Sequence, residues 1–182
     1  MENGESRVQR ILIEAEAIQQ KVSELGRQIS EDETDAADPL VLIGILKGSL
    51  IFLADLSRAI SSAIQIEFMS ISSYDASQSS GVVRILKDLD VNITNRRVLI
   101  VEGIIDTGLT LNYVLRSLQA RRPESLKVCT LLEKPARRSV DIPIDYLGFT
   151  IPDEFVVGYG LDFNQEFRNL PFIGVLDSGG HA

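Results

Sequence analysis

Residues 98–110, VLIVEGIIDTGLT, gather two carboxylates and two hydroxyls in a short span: Glu102, Asp106, Thr107 and Thr110, with glycines at 103 and 108. A helix starting just after Gly108 would leave its first N–H groups unpaired beside those small and hydroxylated residues, and such a helix start is a ready seat for a phosphate monoester. The same composition also describes a plain helix entry capped by a threonine, and composition alone favours that plainer reading. Glu102 and Asp106 weigh on the other side. A carboxylate beside an anion-favouring helix start needs a different partner, and sugar hydroxyls or a hard metal ion would supply one.

These groups need a frame. VLIV (98–101) is a short all-apolar run and reads as a buried strand that ends at the acidic turn; LNYVLRSLQARR after it reads as a helix that stops before Pro123. Upstream, Val8, Ile11, Leu12, Ala15, Ile18, Val22, Leu25 and Ile29 recur at spacings of one, three or four and predict an amphipathic helix between Ser6 and Ser30. VLIGI (41–45) is a second buried strand, followed by LKGS and a helix over SLIFLADLSRAISS; IQIEFMS alternates as a strand does. SSYDASQSSG (72–81) has almost nothing to bury and reads as a mobile loop or hairpin tip. KVCTLL is another buried strand, and YLGFT, FVVGYG and FIGVL are short strand candidates. Helices alternating with all-apolar strands predict an α/β fold with a parallel sheet covered on both faces. Ligands of such sheets sit at the carboxyl ends of the strands, which puts LKGS, EGIIDTGLT, EKPARRS and the C-terminal turns along one rim. We expect one domain over residues 1–182, with a core of about 38–150 and a small hood from about 1–37 and 151–182.

Composition narrows the chemistry. Acids outnumber bases 26 to 18, a net charge of −8, and basic residues cluster no further than short pairs, which argues against nucleic acid or an anionic membrane as partner. An anionic small ligand remains compatible, because backbone N–H groups and one or two cations hold a phosphate locally. The lone Cys129 lies in an apolar run and packs as a small hydrophobe, in keeping with a reducing cytoplasmic compartment. No apolar h-region opens the chain, and no apolar stretch is long enough to span a bilayer. One histidine, His181, and one cysteine argue against zinc, so any metal is expected to be a hard ion on oxygen ligands.

VLIVEGIIDTGLTL closely resembles the 5-phosphoribosyl 1-pyrophosphate (PRPP) signature of the purine phosphoribosyltransferases, hypoxanthine-guanine class. ILKGSLIFLADLSRAI is similar to that family's pyrophosphate loop and following helix, ISSYDASQSSG to its catalytic loop, VCTLLEKPARRS to its purine-proximal lysine segment, and IPDEFVVGYGLDFNQEFRNLP to its base- and metal-binding region. The resemblance runs in family order over residues 40–176. It implies the type I phosphoribosyltransferase fold and a role for each matching residue. The backbone around Lys47 and Gly48 would bind pyrophosphate, with the Leu46–Lys47 peptide cis as it often is in the family, and Arg168 would meet the same group. Thr107, Gly108, Leu109 and Thr110 would cradle the ribose 5-phosphate. Ser73 and Tyr74 would lie in a lid over the reacting centre. Asp106 would be the catalytic acid/base, Lys134 would donate to the purine 6-oxo group, and Phe155 would stack on the base while Val156 binds it through its backbone. Glu102 and Asp162 would serve Mg²⁺, with Glu102 on the ribose side and Asp162 on the purine side.

Each role has a plainer competitor: an exposed loop lysine for Lys47, a helix-capping carboxylate for Asp106, a solvated lysine before Pro135 for Lys134, a core aromatic for Phe155, and a surface ion pair for Asp162 with Arg168. One residue departs from the signature. The family has two adjacent acids before Ile-Ile-Asp, whereas here Glu102 is followed by Gly103. If Gly103 is a lost ligand, Gly103→Asp should tighten PRPP binding; if the turn needs a glycine there, it should not. The function implied is purine salvage, moving the phosphoribosyl group from PRPP to hypoxanthine or guanine to give IMP or GMP and pyrophosphate, in a homodimer or homotetramer. Two other readings stand beside it: a catalytically weakened nucleotide-binding regulator, and a transferase for another base such as xanthine.

Overall fold

A computed structural model of the protein describes residues 7–33, 38–73 and 83–176, with Ser73 and Val83 described by backbone alone. In chain order the elements are β1 (Val8–Ile13), α1 (Ala15–Asp32), β2 (Leu40–Leu46), α2 (Leu50–Ala59), β3 (Ile64–Ser73), β4 (Val83–Lys87), β5 (Arg97–Ile105), α3 (Leu109–Gln119), β6 (Ser125–Glu133), β7 (Tyr146–Thr150), β8 (Val156–Val157) and β9 (Ile173–Leu176). The main sheet has the order β4-β3-β2-β5-β6-β7, parallel except for β4, which runs antiparallel to β3. The chain ends form a separate antiparallel sheet, β1-β9-β8. This is the expected α/β architecture with a small second sheet from the ends.

The apolar runs become strands because both faces of the sheet are covered. Along β2 the side chains alternate: Leu42 joins the core with Phe52, Leu53 and Leu56 of α2 and Ile18, Val22, Leu25 and Ile29 of α1. Val41 and Ile43 face the other way, onto Leu111, Val114 and Leu118 of α3. The period of two in the strand meets the period of 3.6 in each helix. Phe52 is fully buried, and its truncation to Ala would cost about 3–5 kcal/mol. Cys129 is fully buried in the first of these cores, and burial pushes its thiol pKa up, as a packing role requires.

Three expectations change. Residues 8–13 do not begin the first helix: they form β1, paired with β9 from Val8↔Leu176 to Ile13↔Ile173. Val8, Ile11 and Leu12 satisfy helical spacing, but a partner edge more than 150 residues away decides the matter. Helix α1, expected in the chain-end hood, packs in one core with α2 and β2. Strand β5 does not stop at Val101; pairing with β6 carries it through Glu102↔Thr130 to Ile105↔Glu133, so Glu102 and Gly103 lie on a strand and the turn begins at Asp106. Residues 74–82, which hold most of the expected lid loop and Tyr74, fall outside the described residues, as does the Ser73 side chain. Among the described residues, no helix is long and apolar enough to cross a membrane.

Candidate active site

Strand β2 leads outward to β3 on one side, and β5 leads outward to β6 on the other, so the strand order reverses between β2 and β5. Open α/β sheets bind ligands at such a reversal, beyond the carboxyl ends of the strands. Here the two strands also part: β2 and β5 pair from Val41↔Val98 only to Gly44↔Val101, while β5 continues along β6. A cavity of about 290 Å³ opens in the cleft, lined by Leu46 and Gly48 on the β2 side and by the 102–108 segment, Thr110 and Leu111 on the β5 side.

Helix α3 begins at the back of this cavity. Gly108 is its N-cap, in the left-handed region at φ 82°, and a Cβ there would lie 2.9 Å from Ile142 Cδ1, so no other residue fits without strain. Gly108 accepts the first helical hydrogen bond from Asn112 N (2.9 Å), but no side chain caps the helix from that position. Thr107 Oγ1 makes a long 3.4 Å contact with Leu109 N, a weak version of the expected threonine cap. The first turn of the helix thus starts without a strong cap beside the cavity-lining Gly108 and Thr110. Leu109 points elsewhere: its side chain is exposed and does not line the cavity.

Glu102 stands at the edge of the cleft. Its carboxylate accepts a 3.1 Å hydrogen bond from Gly103 N, which favours the charged form, yet burial outweighs this and pushes the pKa up to about 8. Asp106 does not cap α3. Its Oδ1 lies 2.8 Å from Arg137 Nε, in a pair about half exposed, and Arg137 reaches 3.7 Å toward Asp153. Arg137 was not singled out from sequence; the signal was its spacing of three from Lys134, which the 3-10 turn Pro135–Arg137 converts into proximity to the 106–108 turn. That segment is stitched to the turn by Lys134 N donating to Ile105 O (3.0 Å) and Ser139 N donating to Thr107 O (3.0 Å).

Lys134 is buried, contrary to the solvated alternative, and Phe155 is 48% exposed, contrary to the core alternative. Phe155 meets Phe163 edge to face with ring centroids 5.6 Å apart, and its carbonyl accepts from Leu176 N, which anchors the backbone while leaving the ring accessible. Val156 is buried and paired with Val175.

The corner that holds Lys47 and Arg168 is built by a loop and a hairpin. The Leu46–Lys47 peptide is cis, as the resemblance implied. Arg168 pairs with Asp162 at 2.7 Å, the ion pair foreseen as the competing reading, and also donates to Gly160 O (2.7 Å). Asp162 Oδ2 accepts from Gln165 N at 2.9 Å. Two glycines that sequence reasoning did not connect face the same atom: a Cβ on Gly103 would sit 2.8 Å from Gly48 O, and one on Gly160 2.6 Å from it. The Gly48 carbonyl is wedged between β5 and the 158–161 turn. Gly103, whose backbone is not left-handed, is thus a point of close approach.

Comparison with known proteins agrees with this geometry. Residues 9–164 match the family model of the phosphoribosyl transferase domain. The hypoxanthine-guanine phosphoribosyltransferase of Mycobacterium avium is 53% identical over 93% of this chain and 86% of its own length, and the hypoxanthine phosphoribosyltransferase of Escherichia coli K12 is 50% identical over 90% and 93%. The crystal structure of a hypoxanthine phosphoribosyltransferase from Staphylococcus aureus superposes with a TM-score of 0.90 at 46% identity, covering 95% of this chain and 94% of that one.

Proposed function

The chain belongs to the phosphoribosyltransferase family, among the hypoxanthine-guanine enzymes of purine salvage, and we propose that its cleft transfers the 5-phosphoribosyl group from PRPP to hypoxanthine or guanine, releasing pyrophosphate. The observation that carries the reading is the uncapped start of α3, with left-handed Gly108, opening on a cavity between Glu102 and Asp106. An anion is held there by backbone N–H groups and the helix dipole without a cationic side chain, which reconciles a phosphate ligand with a net charge of −8.

In this reading Thr107 to Thr110 hold the 5-phosphate and so fix the ribose at the parting of β2 and β5. Glu102 accepts from the ribose hydroxyls. Lys47, the Gly48 backbone and Arg168 receive the leaving pyrophosphate, and their positive charge stabilises the negative charge that grows on it as the bond to the anomeric carbon breaks. The base lies against Phe155 with its 6-oxo group on Lys134, whose ammonium has donors and no acceptor. Asp106 takes the proton from the imidazole part of the purine as the ring nitrogen attacks; Arg137 holds its carboxylate until then. Lining the cleft with Leu46, Leu111 and Leu161 limits water at the reacting centre.

Mg²⁺ is the metal that suits these residues. Glu102 offers a half-buried carboxyl with no cation against it among the described residues, and Asp162 offers a second carboxyl, ion-paired to Arg168 at 2.7 Å. No group of three or more acidic, histidine or cysteine side chains among the described residues could hold a metal alone, so substrate oxygens and water would complete its shell. Bound there, the ion would neutralise charge on the departing pyrophosphate. A cytoplasmic enzyme assembled as a homodimer or homotetramer is part of the same proposal.

Gly103 bears on the alternative of a weakened regulator. Its close approach to Gly48 supports a packing requirement, and an intact cleft supports turnover. The test is a spectrophotometric assay of hypoxanthine, guanine, xanthine and adenine with PRPP and Mg²⁺. Turnover of hypoxanthine or guanine well above the other two is expected. Turnover of xanthine alone would select the other-base reading, and PRPP binding without turnover of any base would select the regulator.

A further inference from the structure

Gln165 occupies a place that the transfer reaction has not yet used. Its side-chain oxygen accepts from Lys47 Nζ at 3.0 Å, across 118 residues of sequence, and from Arg168 Nη2 at 3.2 Å, joining two cations that come from separate loops. An ammonium and a guanidinium aimed at one point require an acceptor, so the carboxamide oxygen, and not its NH₂, must face them. The backbone is arranged for this contact. Gln165 is held at φ 68° and Asn164 at φ 50°, left-handed conformations uncommon for residues with side chains, and the Asp162 carboxylate fixes the turn by accepting from Gln165 N. A glycine would satisfy that backbone with less strain, yet it would leave Lys47 and Arg168 with no common acceptor.

We propose that Gln165 is a positioning residue for pyrophosphate: its neutral oxygen holds Lys47 converged with Arg168, which is also ion-paired to Asp162 at 2.7 Å, and adds no further negative charge, so that a phosphoryl oxygen replaces the amide oxygen and finds both cations in place. The inference rests on the assignment of Lys47 and Arg168 to pyrophosphate. A second carboxylate beside Asp162 would hold the pair more tightly but would add to the competition with the incoming anion; the amide avoids that addition. Preorganisation of this kind lowers the ordering cost of binding and leaves the purine site untouched.

The decisive variant is Gln165→Gly, because it suits the turn and deletes only the acceptor. Binding of inorganic pyrophosphate with Mg²⁺ is measured by calorimetry, together with KM for PRPP, KM for hypoxanthine and the melting temperature. A positioning role predicts pyrophosphate affinity and KM for PRPP worse by about three- to tenfold, the scale of a solvent-accessible hydrogen bond to a charged group. Hypoxanthine KM should hold steady, and melting should be unchanged or higher. Gln165→Met, which keeps the length without the amide, should behave alike. On a Lys47→Ala, Arg168→Ala background the further effect of Gln165→Gly should vanish, the non-additivity expected of groups acting as one unit. Unchanged pyrophosphate binding in Gln165→Gly, with Lys47→Ala and Arg168→Ala each weakening it, would overturn the role of Gln165 alone. Pyrophosphate binding insensitive to Lys47→Ala and Arg168→Ala would overturn the assignment beneath it as well.

Discussion

Replacing Gly103 by alanine separates the two explanations of the missing acid, because alanine adds the Cβ of aspartate without its carboxylate. That Cβ would lie 2.8 Å from Gly48 O and 3.3 Å from Leu161 Cδ2. The leucine methyl can turn aside. The carbonyl, as backbone, cannot: ordinary contact begins at 3.4 Å, leaving it 0.6 Å too close. Just beyond the loop, Ser49 Oγ donates to Ile45 O at 2.7 Å and Leu50 N donates to Lys47 O at 3.1 Å, so the segment resists moving as a body. Overpacking of this kind costs about 1–3 kcal/mol. Borne wholly by the pyrophosphate loop in the complex, it would weaken PRPP binding about 5- to 150-fold; borne by the free protein, it would lower the melting temperature by about 2–4 °C per kcal/mol. Gly103→Asp adds a carboxylate whose charge-assisted hydrogen bond could return about 1.5–3 kcal/mol, and the two contributions are of equal size. The tightening that a lost ligand would produce is therefore not expected. The assay is KM and Kd for PRPP with Mg²⁺, alongside thermal melting, for the parent, Gly103→Ala and Gly103→Asp. An alanine variant with parental PRPP affinity and melting temperature, or an aspartate variant that binds PRPP ten times more tightly, would refute the packing argument.

Glu102 gives a pH prediction for the free protein. Burial raises its folded pKa to about 8, above the 4.5 of an exposed glutamate, so its contribution to stability is fully present below about 4.5 and is lost as pH rises through 8. Urea midpoints measured from pH 5 to 8.5 should fall with rising pH, and Glu102→Gln should flatten that slope; equal slopes would show that the carboxyl is charged throughout. Asp106→Asn should lower turnover by about two to four decades while PRPP still binds, and near-parental turnover would reduce Asp106 to a partner of Arg137. Lys134→Ala should narrow the preference for hypoxanthine over adenine, read from the two rates side by side; an unchanged ratio would remove Lys134 from base recognition. Tyr159→Phe deletes a 2.6 Å hydrogen bond to Asp55 and should cost about 0.5–1.5 kcal/mol of stability, read as a lower urea midpoint.

What the amino-acid order settles by itself is whatever local chemistry settles. All-apolar runs such as VLIGI and KVCTLL can be satisfied only between two covering layers, so the parallel core follows, and with it the rim where Glu102, Asp106 and Thr110 assemble. The signature from 98 to 111 carried the function because its residues are neighbours along the chain as well as in the cleft. Distant pairing decided the rest. VQRILI became β1 because β9 offered an edge, and β5 ran on past Val101 because β6 did, which moved Gly103 from a turn to a strand. The Phe155 ring is exposed because its backbone, and not its side chain, is the anchored part. The two glycines around Gly48 O, the Arg137 contact with Asp106 and the convergence of Lys47 and Arg168 on Gln165 all join segments from different strands. Periodicity and composition describe one segment at a time, and a steric limit between two segments exists only once the sheet has brought them together.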